Sequence, residues 1–332
     1  MKKLNIGFIG CGGIARTHAN ALRSDERINF VAFCDIVPEK AKHFASTYGG
    51  KPYTDYREML EKEKLDAVFI CLPPFAHKDE VMLAAEKGIH IFIEKPIALD
   101  IKLAREMVRA VEKAGVKSQV GYQLRFAAGI ERAKKLIEKG EVGQIGLVLG
   151  EYLCRFIRKD WWIDKSKSGG QIVEQATHLY DAIRWLCGDV ERVYGEMNRV
   201  FYTDIPNMTI EDVSSVVLRF KSGAVGAIVA SIGAVRDQWW FRWKIVGWHA
   251  TLESKDPHSL RVYWSTKEHL VIEEYSEIGR DPIKLEHNDF INAILYDKET
   301  RTPISEGAKT LELTLAAMKA METHTVISLP LE

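Results

Sequence analysis

Leu4-Asn-Ile-Gly-Phe-Ile-Gly10-Cys-Gly12-Gly-Ile-Ala15 decides how the first part of the chain is organised. An apolar run breaks on glycines, and apolar residues then recur at helical spacing over Ile14–Leu22. The glycines match Gly-x-Gly-x-x-Ala. Gly10 suits a tight turn, Gly12 lets a pyrophosphate approach the backbone, and the small Ala15 permits close helix–strand packing. Gly13 and Ile14 begin the helix, whose free N–H groups and positive dipole end attract phosphate. A second apolar run, Phe30–Cys34, stops at Asp35, where an acid accepts both hydroxyls of a ribose. A carboxylate there repels a 2′-phosphate. Ile36 and Val37 supply no arginine to bind one, and Lys40 is the nearest cation. NAD is expected in preference to NADP.

Outward from this stretch, strand runs at Ala67–Leu72, His90–Ile93 and Lys117–Tyr122 alternate with helical patterns at 38–48, His77–Lys87 and Ile101–Ala114. Strands apolar on both faces, separated by amphipathic helices, read as βαβ units of a parallel sheet. The pattern changes after residue 122. Helices are expected near Ile130–Lys139 and Ile172–Leu186, a strand region at 145–157, and mostly strands from 190 to 277. Phe220-Lys-Ser-Gly-Ala224 reads as a hairpin turn. In Trp239–Trp248, Trp239, Phe241, Trp243 and Ile245 alternate with Trp240, Arg242, Lys244 and Val246. The first set reads as core or subunit interface; a ligand contact at Trp240 or Arg242 is the lesser reading. Helical patterns near Glu286–Tyr296 and Gly307–Met321 close the chain. The expected fold is α/β: a doubly wound Rossmann domain over 1–122, then an α+β domain over 123–332 with a large, mostly antiparallel open sheet.

The 332 residues carry 46 Lys+Arg against 46 Asp+Glu, which argues against a dedicated nucleic-acid binder. Cys11, Cys34, Cys71, Cys154 and Cys187 form no CxxC and are odd in number, so reduced thiols in a cytoplasmic protein are expected. The N-terminal apolar run is too short for a signal peptide, and no window approaches a membrane span. No HExxH, His/Cys cluster or GxSxG occurs, so neither a metal site nor serine catalysis is expected. All eight tryptophans (Trp161, Trp162, Trp185, Trp239, Trp240, Trp243, Trp248 and Trp264) follow residue 160, which gives the two halves different tasks.

Glu94-Lys95-Pro96 ends a strand, where ligands sit in an open parallel sheet. Ser168-Gly-Gly-Gln-Ile-Val-Glu174-Gln-Ala-Thr-His178-Leu-Tyr-Asp181 opens a helix, with Glu174 and His178 four apart on one face. A lysine, a histidine and a carboxylate beside a nicotinamide are the groups that move a proton while a hydride moves. Arg155-Phe-Ile-Arg158-Lys-Asp160-Trp161-Trp162-Ile-Asp164 precedes that helix. An indole of Trp161 or Trp162 can stack on the C–H face of a sugar while Asp or Arg binds its hydroxyls. Tyr122 and Arg125, at the domain junction, read as substrate or cofactor contacts, with a domain-linking salt bridge as the other reading.

These motifs resemble the Gfo/Idh/MocA oxidoreductases, typified by glucose–fructose oxidoreductase and inositol dehydrogenase. The resemblance spans nearly the whole chain. It rests on Gly10–Ala15, Pro73-Pro74-Phe-Ala-His77, Glu94-Lys95-Pro96, Gly121-Tyr-Gln-Leu-Arg125-Phe, Ser168-Gly-Gly…His178-x-x-Asp181 and Thr302-Pro-Ile-Ser-Glu-Gly. It implies that Lys95 orients the reacting hydroxyl, that His178 takes its proton, that Asp181 supports the helix, and that Pro73, His77 and Glu94 lie near the cofactor. It also implies a cis Lys95–Pro96 bond and a homodimer or homotetramer formed through the second sheet. Glu174 departs from the family pattern, where Asp is common; it keeps the carboxylate one methylene further out. The residues leave open whether Lys95 or His178 is the acid/base. The expected function is NAD-dependent oxidation of a secondary hydroxyl of a sugar, sugar derivative or cyclitol. An NAD-recycling enzyme of the oxidation–elimination glycosidase type and a non-enzymatic NAD-binding regulator are the alternatives.

Overall fold

The computed structural model describes residues 3–157, 160–266, 268–277 and 279–332. The chain divides into two compact units, Met1–Gln123 with Ile283–Ala308, and Leu124–Pro282 with Lys309–Glu332.

In the first unit, β1 (Leu4–Ile9), β2 (Ile28–Cys34), β3 (Lys51–Tyr53), β4 (Ala67–Ile70), β5 (His90–Ile93) and β6 (Ser118–Val120) form a parallel sheet in the order β3-β2-β1-β4-β5-β6. The order reverses beside β1, which is the switch point of a doubly wound fold. Phe33, Phe8, Phe69 and Phe92 lie directly opposite one another on β2, β1, β4 and β5. Their rings run as a ladder with centroids 5.5, 5.0 and 4.6 Å apart. Such cross-strand aromatic pairs stabilise register as well as core.

The expected single boundary at 122/123 does not describe the return of Ile283–Ala308 to this unit. Two interactions draw it back. Thr300 Oγ1 donates to Ser118 O, and Val120 N–H donates to Thr302 O at 2.8 Å, which occupies the edge of β6. Phe290 and Ile291 join the core that holds Phe8, Phe69 and Phe92.

In the second unit, β7 (Ile145–Cys154), β8 (Val190–Asn198), β9 (Val213–Phe220), β10 (Val225–Ser231), β11 (Trp239–Gly247), β12 (Ala250–Ser254), β13 (Ser259–Trp264), β14 (Val271–Ser276) and β15 (Ile327–Ser328) form one sheet, ordered β14-β13-β12-β11-β7-β10-β9-β8-β15. Only β7 and β10 pair in parallel among the described residues. Phe241, Trp243 and Ile245 are buried, as the alternation requires, while Trp239 at the start of β11 is exposed. Trp240 carries the Arg242 guanidinium 4.0 Å from its ring centroid.

Candidate active site

In a parallel sheet every strand delivers its next residue to the same edge. Gly10 follows β1, Asp35 follows β2, Pro73 lies beyond β4, Glu94 and Lys95 follow β5, and Tyr122 lies beyond β6. Gly10 has φ +91°, and a Cβ there would lie 2.4 Å from the Cys71 carbonyl oxygen, so the turn admits only glycine. A Cβ on Gly12 or Gly13 would meet nothing within 4 Å, which leaves an open cradle at the start of the helix Gly13–Leu22. Asp35 accepts Cys11 N–H and Val37 N–H, both at 2.9 Å, and so ties the glycine loop to the end of β2. His77 is buried with Nδ1 2.6 Å from Glu80, and its Nε2 has no partner among the described residues. Burial pushes the Glu80 carboxyl upward, but His77 and the Lys78 N–H outweigh it and hold the group below its usual range. The open cradle, the strand-end carboxylate and the unpartnered imidazole nitrogen fit a dinucleotide.

Glu94 is 7% exposed, and Oε1 lies 2.7 Å from His18 Nε2. Lys95 N–H donates to Glu94 Oε2 at 3.2 Å, and the Lys95–Pro96 bond is cis. A Cβ on Gly121 would meet Glu94 Oε1 at 2.7 Å, so the glycine of Gly121-Tyr122 makes room for this carboxylate. Tyr122 itself is buried.

In the second unit the segment Ile172–Ala176 is a π-helix that runs into the α-helix Thr177–Cys187. Such widened turns occur frequently at functional sites. From Gln171 to Arg184 every residue is buried except Glu174 and His178. The two groups expected to act are therefore the two the helix leaves accessible. Asp181, one turn on, is sunk in a bidentate pair with Arg125, at 2.6 and 2.8 Å, and accepts Thr310 Oγ1 at 2.9 Å. Arg125 is 1% exposed and lies 5.3 Å from the Trp185 ring. Arg125 makes a salt bridge, but Arg125, Asp181 and Thr310 all belong to the second unit, so it is not the domain-linking bridge of the alternative reading.

Trp162 corrects an expectation. Its ring is 1% exposed, within a cluster of Cys154, Met208, Ile210 and Ile232, so it cannot stack on a sugar. Its indole N–H instead donates to Glu174 Oε2 at 2.5 Å and fixes that carboxylate. Trp161 is half-buried and keeps the platform role open. Arg158 lies outside the described residues.

Three buried titratable residues beside these elements escape the sequence reading as site candidates: His18, His287 and Glu211. His18 sits on the buried stripe of its helix with Ala15, Ala19 and Leu22, and a histidine at a core position is the signal available. Glu211 Oε1 accepts Ile172 N–H at 2.9 Å, at the start of the π-helix, and burial raises its carboxyl to about 7. The folded state therefore keeps a proton that the unfolded chain releases, and stability falls as pH rises from about 4.5 through about 7. Glu211→Gln should remove that fall, worth on the order of 3 kcal/mol, leaving stability near pH 5 little changed and raising it near pH 8. Urea unfolding at the two pH values checks this; an equal effect at both would refute it.

Residues 4–122 match the model of an oxidoreductase family with an NAD-binding Rossmann fold. Residues 130–253 match the GFO/IDH/MocA C-terminal domain. The scyllo-inositol 2-dehydrogenase (NAD(+)) of Bacillus subtilis is 30% identical, covering 69% of this chain and 67% of its own. The chain belongs to the Gfo/Idh/MocA family. As a Gfo/Idh/MocA protein it is an oxidoreductase whose first unit binds NAD. The uncharacterized oxidoreductase YrbE of Bacillus subtilis is 27% identical over 96% of this chain and 95% of its own. The WlbA dehydrogenase of Bordetella pertussis, solved with NADH and UDP-GlcNAcA, aligns with TM-score 0.86 and 26% identity, covering 100% of each chain. No helix among the described residues is long and apolar enough to cross a membrane.

Proposed function

We propose that this Gfo/Idh/MocA member oxidises a secondary hydroxyl of a sugar, sugar derivative or cyclitol. The observation that carries this reading is the helix that buries all of 171–184 but Glu174 and His178. Its relatives include an inositol dehydrogenase, and a solved neighbour holds a nucleotide sugar. His178 accepts the hydroxyl proton, Lys95 orients and polarises the hydroxyl oxygen, and Glu174, held by Trp162, binds a further hydroxyl or steadies His178. Trp161 offers a C–H platform, and Tyr122 lies at the strand edge that carries Lys95. NAD supplies the hydride acceptor. Gly10, Gly12, Gly13, Ile14 and Ala15 cradle its phosphates, with Pro73, His77 and Glu94 nearby.

The test is a screen of sugars, sugar acids and cyclitols for NAD reduction. Turnover of a sugar without net NADH would identify a cofactor-recycling enzyme; no turnover of any would overturn the reading. Asp35 makes NAD the preferred cofactor. Asp35→Ala should weaken NAD binding roughly 10- to 100-fold, the range of one or two hydrogen bonds to a charged group, and far more than NADP binding, which shares only the loss of the tie to the glycine loop. Equal losses, measured by titration, would refute the ribose assignment.

The proposal includes a homo-oligomer. Leu147, Leu149, Val217 and Val225 lie exposed on neighbouring strands of the second sheet, an apolar face that a second copy would cover. Analytical ultracentrifugation reads this directly. A cytoplasmic location is supported by five buried, unpaired cysteines.

A further inference from the structure

Behind the strand edge that carries Lys95, three titratable side chains form a buried row within the first unit. Glu94 Oε1 is 2.7 Å from His18 Nε2, and His18 Nδ1 is 2.7 Å from His287 Nε2. His18 is 1% exposed and His287 2%. Phe69 and Phe92 pack against both imidazoles, with ring centroids 5.0 to 6.0 Å away, and keep water off the row. The outer end differs in character. His287 lines a surface cavity of about 330 Å³ with Ser24, Asp25, Glu26, Arg27, Lys284 and Asn288. His287 Nδ1 is itself buried and has no partner among the described residues.

The hydrogen bonds dictate one tautomer pattern. With Glu94 ionised, His18 donates from Nε2, so its Nδ1 accepts; His287 then donates from Nε2, and its Nδ1 carries a bare lone pair. Burial first, and then the neighbouring His18, hold the His287 pKa well below 6.5, with Asp25 opposing. The ring is thus neutral and able to relay. At the inner end Cys71 stays a thiol, its pKa raised by burial and by Glu94. The charged groups facing the row are therefore Glu94 inside and Asp25, Glu26, Arg27 and Lys284 around the cavity.

We propose that Glu94, His18 and His287 form a proton path between the Lys95 end of the active site and this surface cavity. The path rests on the dehydrogenase reading, because oxidising an alcohol with NAD yields a ketone, NADH and one proton that must leave the site. The steps balance. With Glu94 protonated from the substrate side and both rings in the Nδ1–H form, Glu94 gives its O–H proton to His18 Nε2, His18 Nδ1 passes its proton to His287 Nε2, and His287 Nδ1 releases its proton to water entering from the cavity, which leaves both rings in the Nε2–H form described for ionised Glu94. Three bonds to hydrogen break and three form, one proton exits, and Glu94 returns to the carboxylate. Imidazole is the side chain suited to such a shuttle, since each ring accepts on one nitrogen and donates from the other. Here His18 and His287 act through Glu94 and touch no substrate.

His287→Gln keeps a donor for His18 Nδ1 but cannot relay. In a single turnover followed by NADH absorbance and a pH indicator, the parent should release its proton in step with NADH. In His287→Gln release should lag by roughly 10-fold or more, with NADH binding unaltered. His287→Ala should lag likewise and recover on adding imidazole, whose ring fits the opened cavity. Release in step with NADH in both variants would overturn the path. A readout free of turnover is nitrogen NMR of the histidine-labelled chain. The buried His18 Nε2–H should exchange with water, and His287→Gln should slow that exchange by roughly 10-fold. Unchanged exchange would overturn the path even if no sugar were oxidised, whereas slowed exchange in a chain that oxidises none would support the path and sink the dehydrogenase reading alone.

Discussion

His178→Ala should lower the turnover number by roughly 10²-fold or more, the usual contribution of a positioned general base, and leave NADH binding intact. The expectation follows from the helix itself. Glu174 and His178 are the accessible side chains of 171–184, and everything else on that stretch is committed to the core. A base accepts a proton only when it is unprotonated, so the rate of the parent enzyme should climb with pH on its acidic side. Removing the base should flatten that limb as well as lower the plateau. The Michaelis constant should move little, because the interaction lost is one made as the proton transfers. Glu174→Gln provides a graded comparison. It keeps an acceptor for the Trp162 indole N–H but loses the charge, so its effect should fall between the parent and His178→Ala. Full turnover in His178→Ala would move the acid/base role to Lys95.

Much of the first unit was legible because buried parallel strands are written as uninterrupted apolar runs. Ala-Val-Phe-Ile of β4 is buried at every position, and Gly10, Asp35 and Lys95 sit where those runs stop. β3 was not legible. Lys51-Pro52-Tyr53 is three residues long, largely exposed and interrupted by a proline, which a sheet tolerates only at an edge. Nor does any local pattern announce contacts made across long stretches of chain. The pairing of β7 with β10, the return of Ile283–Ala308, and the meeting of His18 with His287 are all set by packing. The Trp161-Trp162 pair shows a different limit. Adjacent aromatics in a short turn carry no periodicity to say which one faces inward. It is the hydrophobic cluster under Trp162 that decides, and it turns the indole from a sugar platform into the anchor of Glu174.

Arg125→Ala should cost about 3–5 kcal/mol of stability, the range for stranding one partner of a buried ion pair. The Asp181 carboxylate would keep Thr310 as a donor but lose two charge-assisted hydrogen bonds in a site closed to water. An exposed pair such as Lys62–Glu58 is the contrast: its loss should cost no more than about 0.5 kcal/mol, because solvent replaces the partner. The measurement can be confined to the relevant unit. All eight tryptophans lie within Leu124–Pro282, so tryptophan fluorescence during urea unfolding reports the second unit alone. Asp181 is one turn beyond His178, so the same variant should also lower turnover by loosening the base, while NADH binding, a property of the first unit, stays unchanged. Replacing both partners with apolar residues of similar volume, Arg125→Met with Asp181→Leu and Thr310→Val, should recover much of the stability, since no buried charge is then left unpaired. If turnover recovered with stability, orientation of the helix is all the pair contributes. If stability returned without turnover, the Asp181 charge itself tunes His178. A loss below about 1 kcal/mol in Arg125→Ala would mean that water reaches the carboxylate, and the buried pair would no longer account for how the helix that carries His178 is held.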